Sequence, residues 1–390
     1  MRFSSRTGWE LGENDLSVAV REARASGREL FDLTVSNPTA CGFAYDAERL
    51  LAPLARASAI SYEPDPLGMM VAREAVAAYY RDHGADVPME RICLTTSTSE
   101  AYSFLFRLLC DPGDEVLIAR PSYPLFDYIA QLDDVKLREY PLLYDPGAAG
   151  DDAHAWAIDL HALETAIGPK TRAVIVVHPN NPTGNFASAA ERAALEELCS
   201  KHGLALIVDE VFLDYGFGSV AAETFATGGK ALCFVLSGLS KICGLPQMKA
   251  SWIAACGPDD LSGKAMARLE VIADTFLSMN APVQHALPVW LARRRGLQQQ
   301  IRERVAGNLE VLDRRVAGTS AQRLAMQGGW AAVVRVPRDV DQVPFVEAAL
   351  GRGVVVQPGE FYGLPAGRIV LSLLTSAEVW ARGLERLPVD

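Results

Sequence analysis

Short runs that are apolar on both faces recur along the middle of this chain, and they constrain its fold more than any other feature. Ala173–Val177 reads AVIVV and Leu204–Val208 reads LALIV. A strand with one face in water alternates apolar and polar residues. A short run without that alternation reads as a strand buried on both faces, as in a parallel sheet covered by helices. The candidate strands are Arg91–Thr95, Glu115–Ala119, Lys136–Pro141, Ala173–His178, Leu204–Asp209, Ala231–Ser237 and Ala250–Cys256. Helical patterns lie between them. Ala189–His202 is one, and it stops at Gly203, the residue type that closes a helix in a left-handed conformation. Strand–helix–strand alternation predicts an α/β domain, with a mostly parallel seven-stranded sheet sandwiched by helices.

The tail reads differently. Good helix formers run from about Ala286 to Val316. Strand-like pieces follow at Ala331–Val336, Val354–Gln357 and Ile369–Leu373, then a helix at Ser376–Arg386. A smaller α+β domain is predicted here. The N-terminal segment precedes the first strand of the central sheet and is expected to join it. The division is residues 46–285 for the large domain, with 1–45 and 286–390 forming the small one.

Composition narrows the function. Hydrophobic residues make up 49% and charged residues 22%, enough for a large core. The net charge of −11 argues against a nucleic-acid partner, which would want a basic face. Seven cysteines, an odd number with no C-x-x-C pair, suggest neither a disulfide framework nor a metal site. The N-terminus carries charges throughout and lacks the apolar core of a signal peptide. No apolar run approaches the roughly 20 residues of a membrane helix. A cytoplasmic protein with no membrane contact is expected.

In an open parallel sheet, ligands bind beyond the carboxyl ends of the strands. Five groups stand there in this sequence. Thr96-Ser97-Thr98-Ser99-Glu100 has the S-x-x-E spacing of a helix start, and free N–H groups with three hydroxyls can cradle a phosphate. Tyr123 can stack on a planar ring. Asn180 and Asn181, in a turn dense in Asn, Pro and Gly, can donate to a ligand oxygen. Asp209 is a carboxylate at the end of an apolar strand, costly unless paired, and suited to a protonated ring nitrogen. Lys241 follows Ser237-Gly-Leu-Ser240, where a desolvated amine can form a Schiff base. Taken singly, each has an ordinary reading as a cap, a loop aromatic, a turn or a surface lysine. Together they match, part for part, the phosphate, ring, phenolic oxygen, pyridine nitrogen and aldehyde of pyridoxal 5′-phosphate.

These residues resemble the class I/II aminotransferases of the aspartate aminotransferase superfamily, fold type I, from Asp32 to about Leu387. HPNNPTG (His178–Gly184), DEVF (Asp209–Phe212) and SGLSK (Ser237–Lys241) carry the resemblance in the family's order. It implies an enzyme that moves an amino group between an L-amino acid and a 2-oxo acid by ping-pong chemistry. Lys241 would be the Schiff-base lysine and proton shuttle. Asp209 would sit on the pyridine nitrogen and Asn181 on the phenolic oxygen, next to the substrate. Ser97, Thr98 and Ser99 would hold the phosphate, with Ser237 and Ser240 beside the lysine. Tyr123 would stack on the ring.

Tyr62, in YEPDPLG, matches a tyrosine that the family sends into the partner's site, which implies a homodimer with shared active sites. Arg368 is the candidate for the substrate α-carboxylate, although an alternative register puts Val370 at that position. Two departures stand out. Phe212 replaces the tyrosine usual three residues after the Asp. Lys249 replaces a phosphate-binding Arg and loses its two-pronged grip. Related enzymes also carry out β-elimination, decarboxylation, cyclisation or oxidation of amino acids, so these stay open as alternatives.

Overall fold

The seven expected strands all enter one sheet, and a short eighth strand joins its edge. A computed structural model describes residues 1–145, 155–218, 222–277, 279–336 and 342–389. The strands are β1 (Ile92–Thr95), β2 (Glu115–Arg120), β3 (Lys136–Tyr144), β4 (Trp156–Ile158), β5 (Thr171–Val177), β6 (Ala205–Asp209), β7 (Cys233–Gly238) and β8 (Ser251–Cys256). Their order across the sheet is β1-β8-β7-β6-β5-β2-β3-β4. From β7 through β3 every neighbouring pair is parallel. β8 runs antiparallel to both β1 and β7, and β4 runs antiparallel to the end of β3. β4 is only Trp-Ala-Ile, too short for a periodic signal. It pairs with Leu142–Tyr144, where β3 runs on past Pro141.

Burial on both faces explains the unbroken apolar runs. Leu206, Val208, Val235 and Trp252 pack on one side of the sheet. Ile207, Phe234, Leu236 and Ile253 pack on the other. Each such side chain contributes about 1.5–3 kcal/mol when fully buried. Four helices frame the site and the two cores: α1 (Thr98–Leu109), α2 (Ala189–His202), α3 (Asp259–Phe276) and α4 (Ala281–Val316). α2 has a reciprocal cap between Ser188 and Glu191, and ends at Gly203 with φ 65°. α4 starts five residues before the expected Ala286. The Asn280 side chain accepts from the Val283 N–H at 3.0 Å and caps it there.

α4 belongs to both cores. Ala286, Leu287 and Trp290 pack against the large sheet, and Ile301, Val305 and Leu312 pack in a second cluster. That cluster covers a four-stranded antiparallel sheet ordered Gln322–Arg323, Ala331–Arg335, Arg368–Ser372, Gln357–Pro358. The expected strand at Val354–Gln357 is split, and its first half, Val354–Val355, pairs in parallel with Phe31–Asp32. Ser372 N–H also donates to the Leu33 carbonyl at 2.7 Å. Phe31–Leu33 of the N-terminal segment thus bonds to strands of the C-terminal part of the chain. Among the described residues, no helix is long and apolar enough to cross a membrane.

Candidate active site

The carboxyl ends of β6 and β7 lie side by side, because Asp209 and Leu236 are paired in register. Asp209 is the last residue of β6 and is buried. Its carboxylate accepts from the Tyr102 hydroxyl at 3.2 Å and from the Val211 N–H at 3.1 Å. Burial pushes its pKa up to about 6, against the pull of those two donors and of Lys241. Its neighbour Glu210 is also buried and pushed up to about 7, but it accepts from the Thr224 hydroxyl and the Phe225 N–H, both at 2.6 Å. One strand end therefore carries two buried carboxylates with different surroundings. Glu210 is occupied by the fold, whereas Asp209 faces Lys241.

Lys241 sits on a single helical turn, Leu239–Ile242, straight after β7. Burial pushes its pKa down from the usual lysine range, and Asp209 opposes this. A carboxylate raised toward neutrality and an amine lowered toward neutrality are what proton transfer near neutral pH requires. The Tyr215 hydroxyl fixes the backbone here by donating to the Lys241 carbonyl at 2.7 Å.

The residues expected to cradle a phosphate are at the N-terminus of α1. Ser97 caps the helix by accepting from the Glu100 N–H at 3.1 Å. The Glu100 carboxylate reaches one residue further than the reciprocal cap, to the Thr96 N–H at 2.7 Å and the Thr96 hydroxyl at 3.1 Å. Thr98 and Ser99 occupy the first turn, whose amides have no partner within the helix. One turn on, the same helix supplies the Tyr102 that holds Asp209. Cradle and carboxylate are therefore set by one element.

Tyr123 is 40% exposed, and its phenol is pushed up by burial and by Asp209, which places it in the same field. Asn181 is half-buried. Beside it, Asn180 donates to the Pro121 carbonyl at 3.1 Å and to Thr183 Oγ1 at 2.7 Å, tying this turn to the segment that carries Tyr123. Ser237 is buried, with its hydroxyl donating to the Glu210 carbonyl at 3.3 Å. Ser240 is half-buried on the Lys241 turn, and Lys249 is exposed with φ 51°.

Two further expected residues have other surroundings. Tyr62 stands 77% exposed on the Ser61–Pro66 segment, along a groove with Met69, Leu277 and Gln284. Arg368 opens its strand opposite Arg335. Its guanidinium donates to the Ala366 carbonyl at 2.9 Å and the Pro365 carbonyl at 3.3 Å.

The smaller unit contributes a segment that the sequence reading missed. Gln327 N–H donates to the Gly184 carbonyl, and the Gln327 side chain accepts from the Phe186 N–H. Gly329 N–H donates to the Tyr215 carbonyl. The fit at Gly184 is close enough to require glycine, since an added Cβ would lie 2.4 Å from the Gly328 carbonyl oxygen and φ is +71°. This wedge brings Trp330 over Lys241, with 5.2 Å from the amine to the ring centroid. Tyr102 had a detectable signal, being a polar-tipped aromatic on the buried face of a helix that opens at the site. Gln327 and Trp330 had none, because only tertiary approach brings them there.

The donor set fits a small anionic heterocycle. It offers first-turn amides and hydroxyls for a phosphate, a buried carboxylate for a protonated ring nitrogen, and a desolvated amine for an aldehyde. Comparison with known proteins agrees. Residues 46–387 match the family model described as aminotransferase class I and II. The alanine aminotransferase of Mycobacterium tuberculosis is 27% identical over 384 residues, covering 93% of this chain and 86% of that protein. The glutamate–pyruvate aminotransferase of Escherichia coli is 26% identical over 277 residues, covering 70% of this chain and 66% of that protein. Among solved structures, an alanine aminotransferase from Pyrococcus furiosus superposes with a TM-score of 0.87 at 21% identity, covering 99% of this chain and 98% of that one. An aspartate aminotransferase mutant from Thermus thermophilus gives 0.83 at 24% identity, with 99% of each chain covered. At those identities the likeness shows the fold, a mixed α/β fold of type I. The family match over most of the chain shows more, and its class implies pyridoxal phosphate as cofactor: the chain belongs to the class I and II aminotransferases.

Proposed function

We propose that this aminotransferase moves an amino group between an L-amino acid and a 2-oxo acid in two half-reactions, with pyridoxal 5′-phosphate anchored through Lys241. The observation that carries the reading is the placement of a buried Asp209 at the end of β6 with Lys241 on the turn after the adjacent β7, close enough for the carboxylate to act on the amine. When bound, the cofactor supplies an electron sink for the electrons left on the substrate Cα once its proton departs.

The remaining work falls to the chain itself. Ser97, Thr98 and Ser99 hold the phosphate at the α1 N-terminus, with Ser237, Ser240 and Lys249 near it. Asp209, ionised, keeps the ring nitrogen protonated. Asn181 donates to the ring oxygen, and Tyr123 covers the ring face. Lys241, once its amine is free, takes the proton from Cα and returns it on the other side of the transfer. Arg368 receives the substrate α-carboxylate, which requires its guanidinium to leave the Pro365 and Ala366 carbonyls. Residues 46–285 act as the large domain, and 1–45 with 286–390 as the small one. Tyr62, exposed in the single chain, reaches the site of a second copy in a homodimer. The seven cysteines are all unpaired, which supports a reducing compartment, the cytoplasm.

The test is the absorbance spectrum of the purified protein and its response to single amino acids. The cofactor band is expected to convert to that of the aminated cofactor with a donor amino acid and to return with a 2-oxo acid. Lys241→Ala is expected to lose the band's lysine-bound form and to reduce turnover by about four orders of magnitude. Release of ammonia or carbon dioxide in place of the aminated cofactor would assign elimination, oxidation or decarboxylation instead.

A further inference from the structure

The Lys241 amine rests between two aromatic rings from different parts of the chain. Its Nζ lies 5.5 Å from the Phe212 ring centroid and 5.2 Å from that of Trp330. The rings brace one another edge to face, with centroids 5.2 Å apart and planes at 78°. Tyr215 braces Trp330 from another side at 4.9 Å and 70°, and its hydroxyl holds the Lys241 carbonyl at 2.7 Å. Phe212 and Trp330 are both buried, at 8% and 3% exposure, so the amine meets ring faces where water would otherwise be.

A ring face carries negative charge density and attracts a cation within about 6 Å of its centroid, most strongly when the pair is desolvated and the ring is indole. The indole N–H of Trp330 is buried without a hydrogen-bond partner among the described residues. That donor costs stability which a phenylalanine would not. An indole in this place is therefore accounted for by its ring rather than by its N–H.

We infer that Phe212 and Trp330 form an aromatic rest for the Lys241 amine, used whenever that amine is not bonded to the cofactor, and that Trp330 is a positioning residue of the reaction. The inference builds on the reading of Lys241 as the anchoring lysine. It gives Phe212 a role that needs no hydroxyl, because its face is what the amine uses. It also links the smaller unit to the chemistry, since Trp330 immediately precedes the Ala331–Arg335 strand and reaches the amine through the Gln327–Gly329 wedge.

The groups that could confuse a titration of Lys241 are few. Asp209 faces it from β6. Tyr102 and Tyr123 face Asp209, and Tyr215 lies beneath the turn; burial pushes all three phenols upward, so they stay neutral over the useful range.

The test is competitive acetylation of the full-length chain, freed of cofactor, with trace acetic anhydride across pH. It is read at Lys241 by peptide mass spectrometry, with exposed Lys264 as the internal reference. Removing the ring faces destabilises the charged amine. Trp330→Leu is therefore expected to lower the half-titration of Lys241 by about one pH unit, making it about tenfold more reactive below that midpoint. Trp330→Phe, which keeps a ring, should move it less. Phe212→Leu removes the other face and serves if Trp330→Leu does not fold. A Lys241 profile that is the same in the wild type and in a folded Leu variant would overturn the inference. Borohydride reduction after adding pyridoxal phosphate separates this from the underlying assignment. Modification at a lysine other than Lys241 sinks the anchoring role itself, whatever the acetylation profile shows.

Discussion

The two halves of the site are built by different means. On the large-sheet side, each functional group is delivered by the element it belongs to. Asp209 ends β6, Lys241 follows β7, and Ser97 caps α1, so their positions are set by strand pairing and helix geometry. On the smaller side, Gln327 and Trp330 reach the site only because their segment is clamped against Gly184 and Tyr215. Arg368 donates there to the Pro365 and Ala366 carbonyls. The large side is set by regular elements, and the small side by the docking of its wedge. Changes on the large side should therefore act on cofactor binding, and changes on the small side on substrate.

Asp209→Asn probes the first half most strongly. A hydrogen bond to a charged group contributes about 1.5–3 kcal/mol, so the variant is expected to bind pyridoxal phosphate about 10- to 100-fold more weakly. The pH dependence has a definite sign. In the free protein the Asp209 carboxyl titrates at about 6. Pairing with a protonated ring nitrogen lowers that value in the complex. The binding energy is then fully present above pH 6 and is lost as pH falls through it. Equilibrium titration of cofactor from pH 5 to 8 should show this fall in the wild type and a flat line in Asp209→Asn. A wild-type affinity that does not change over that range would mean that Asp209 is not the nitrogen's partner.

Arg368→Ala probes the second half. If Arg368 swings to the substrate carboxylate, its loss should raise KM about tenfold or more for every donor amino acid and leave the cofactor spectrum and affinity alone. Unchanged kinetics would leave Arg368 as a residue that ties down the Pro365–Ala366 turn. They would also favour the register that places Val370 at the family's arginine position. A change in cofactor affinity would blur the division between the halves.

This division also marks what could be read from the sequence. The strand ends were legible because their signals are local. A doubly buried strand has no alternation, a helix start has its cap, and a carboxylate after VIV-type residues is conspicuous by its cost. All seven expected strands lie in the sheet, six of them as buried apolar runs and Lys136–Pro141 as a largely exposed one, and α2 was found to the residue. β4 was not legible, because a three-residue strand carries no period and depends on pairing with Leu142–Tyr144. Trp330 was not legible either. Its sequence context, Gly-Gly-Trp before a strand, is that of a core aromatic, and most of its surface is in fact core. What sets it apart is contact with Lys241, 89 positions away in the chain. Arg368 was suggested by resemblance alone, and its contacts with the Pro365 and Ala366 carbonyls carry no signal in the sequence.

Tyr102→Phe tests the finest point, whether the large-sheet half tunes Asp209 or only positions it. The Tyr102 hydroxyl donates to the carboxylate and so favours its charged form, one of the effects that keep the Asp209 pKa from rising above about 6. Without it the carboxyl should titrate higher. The acid-side loss of cofactor affinity should then begin at a higher pH, while affinity at pH 8 stays within a few-fold of wild type. The folded state should lose about 1 kcal/mol, the net worth of an ordinary buried hydrogen bond, because the two groups lose one partner and Asp209 keeps its Val211 N–H. A midpoint that shifts upward means that α1 sets both the cradle and the charge of the site. A midpoint that stays put, with the stability loss present, means that Tyr102 serves packing between α1 and β6. In that case the Asp209 charge is governed by burial, the Val211 N–H and Lys241.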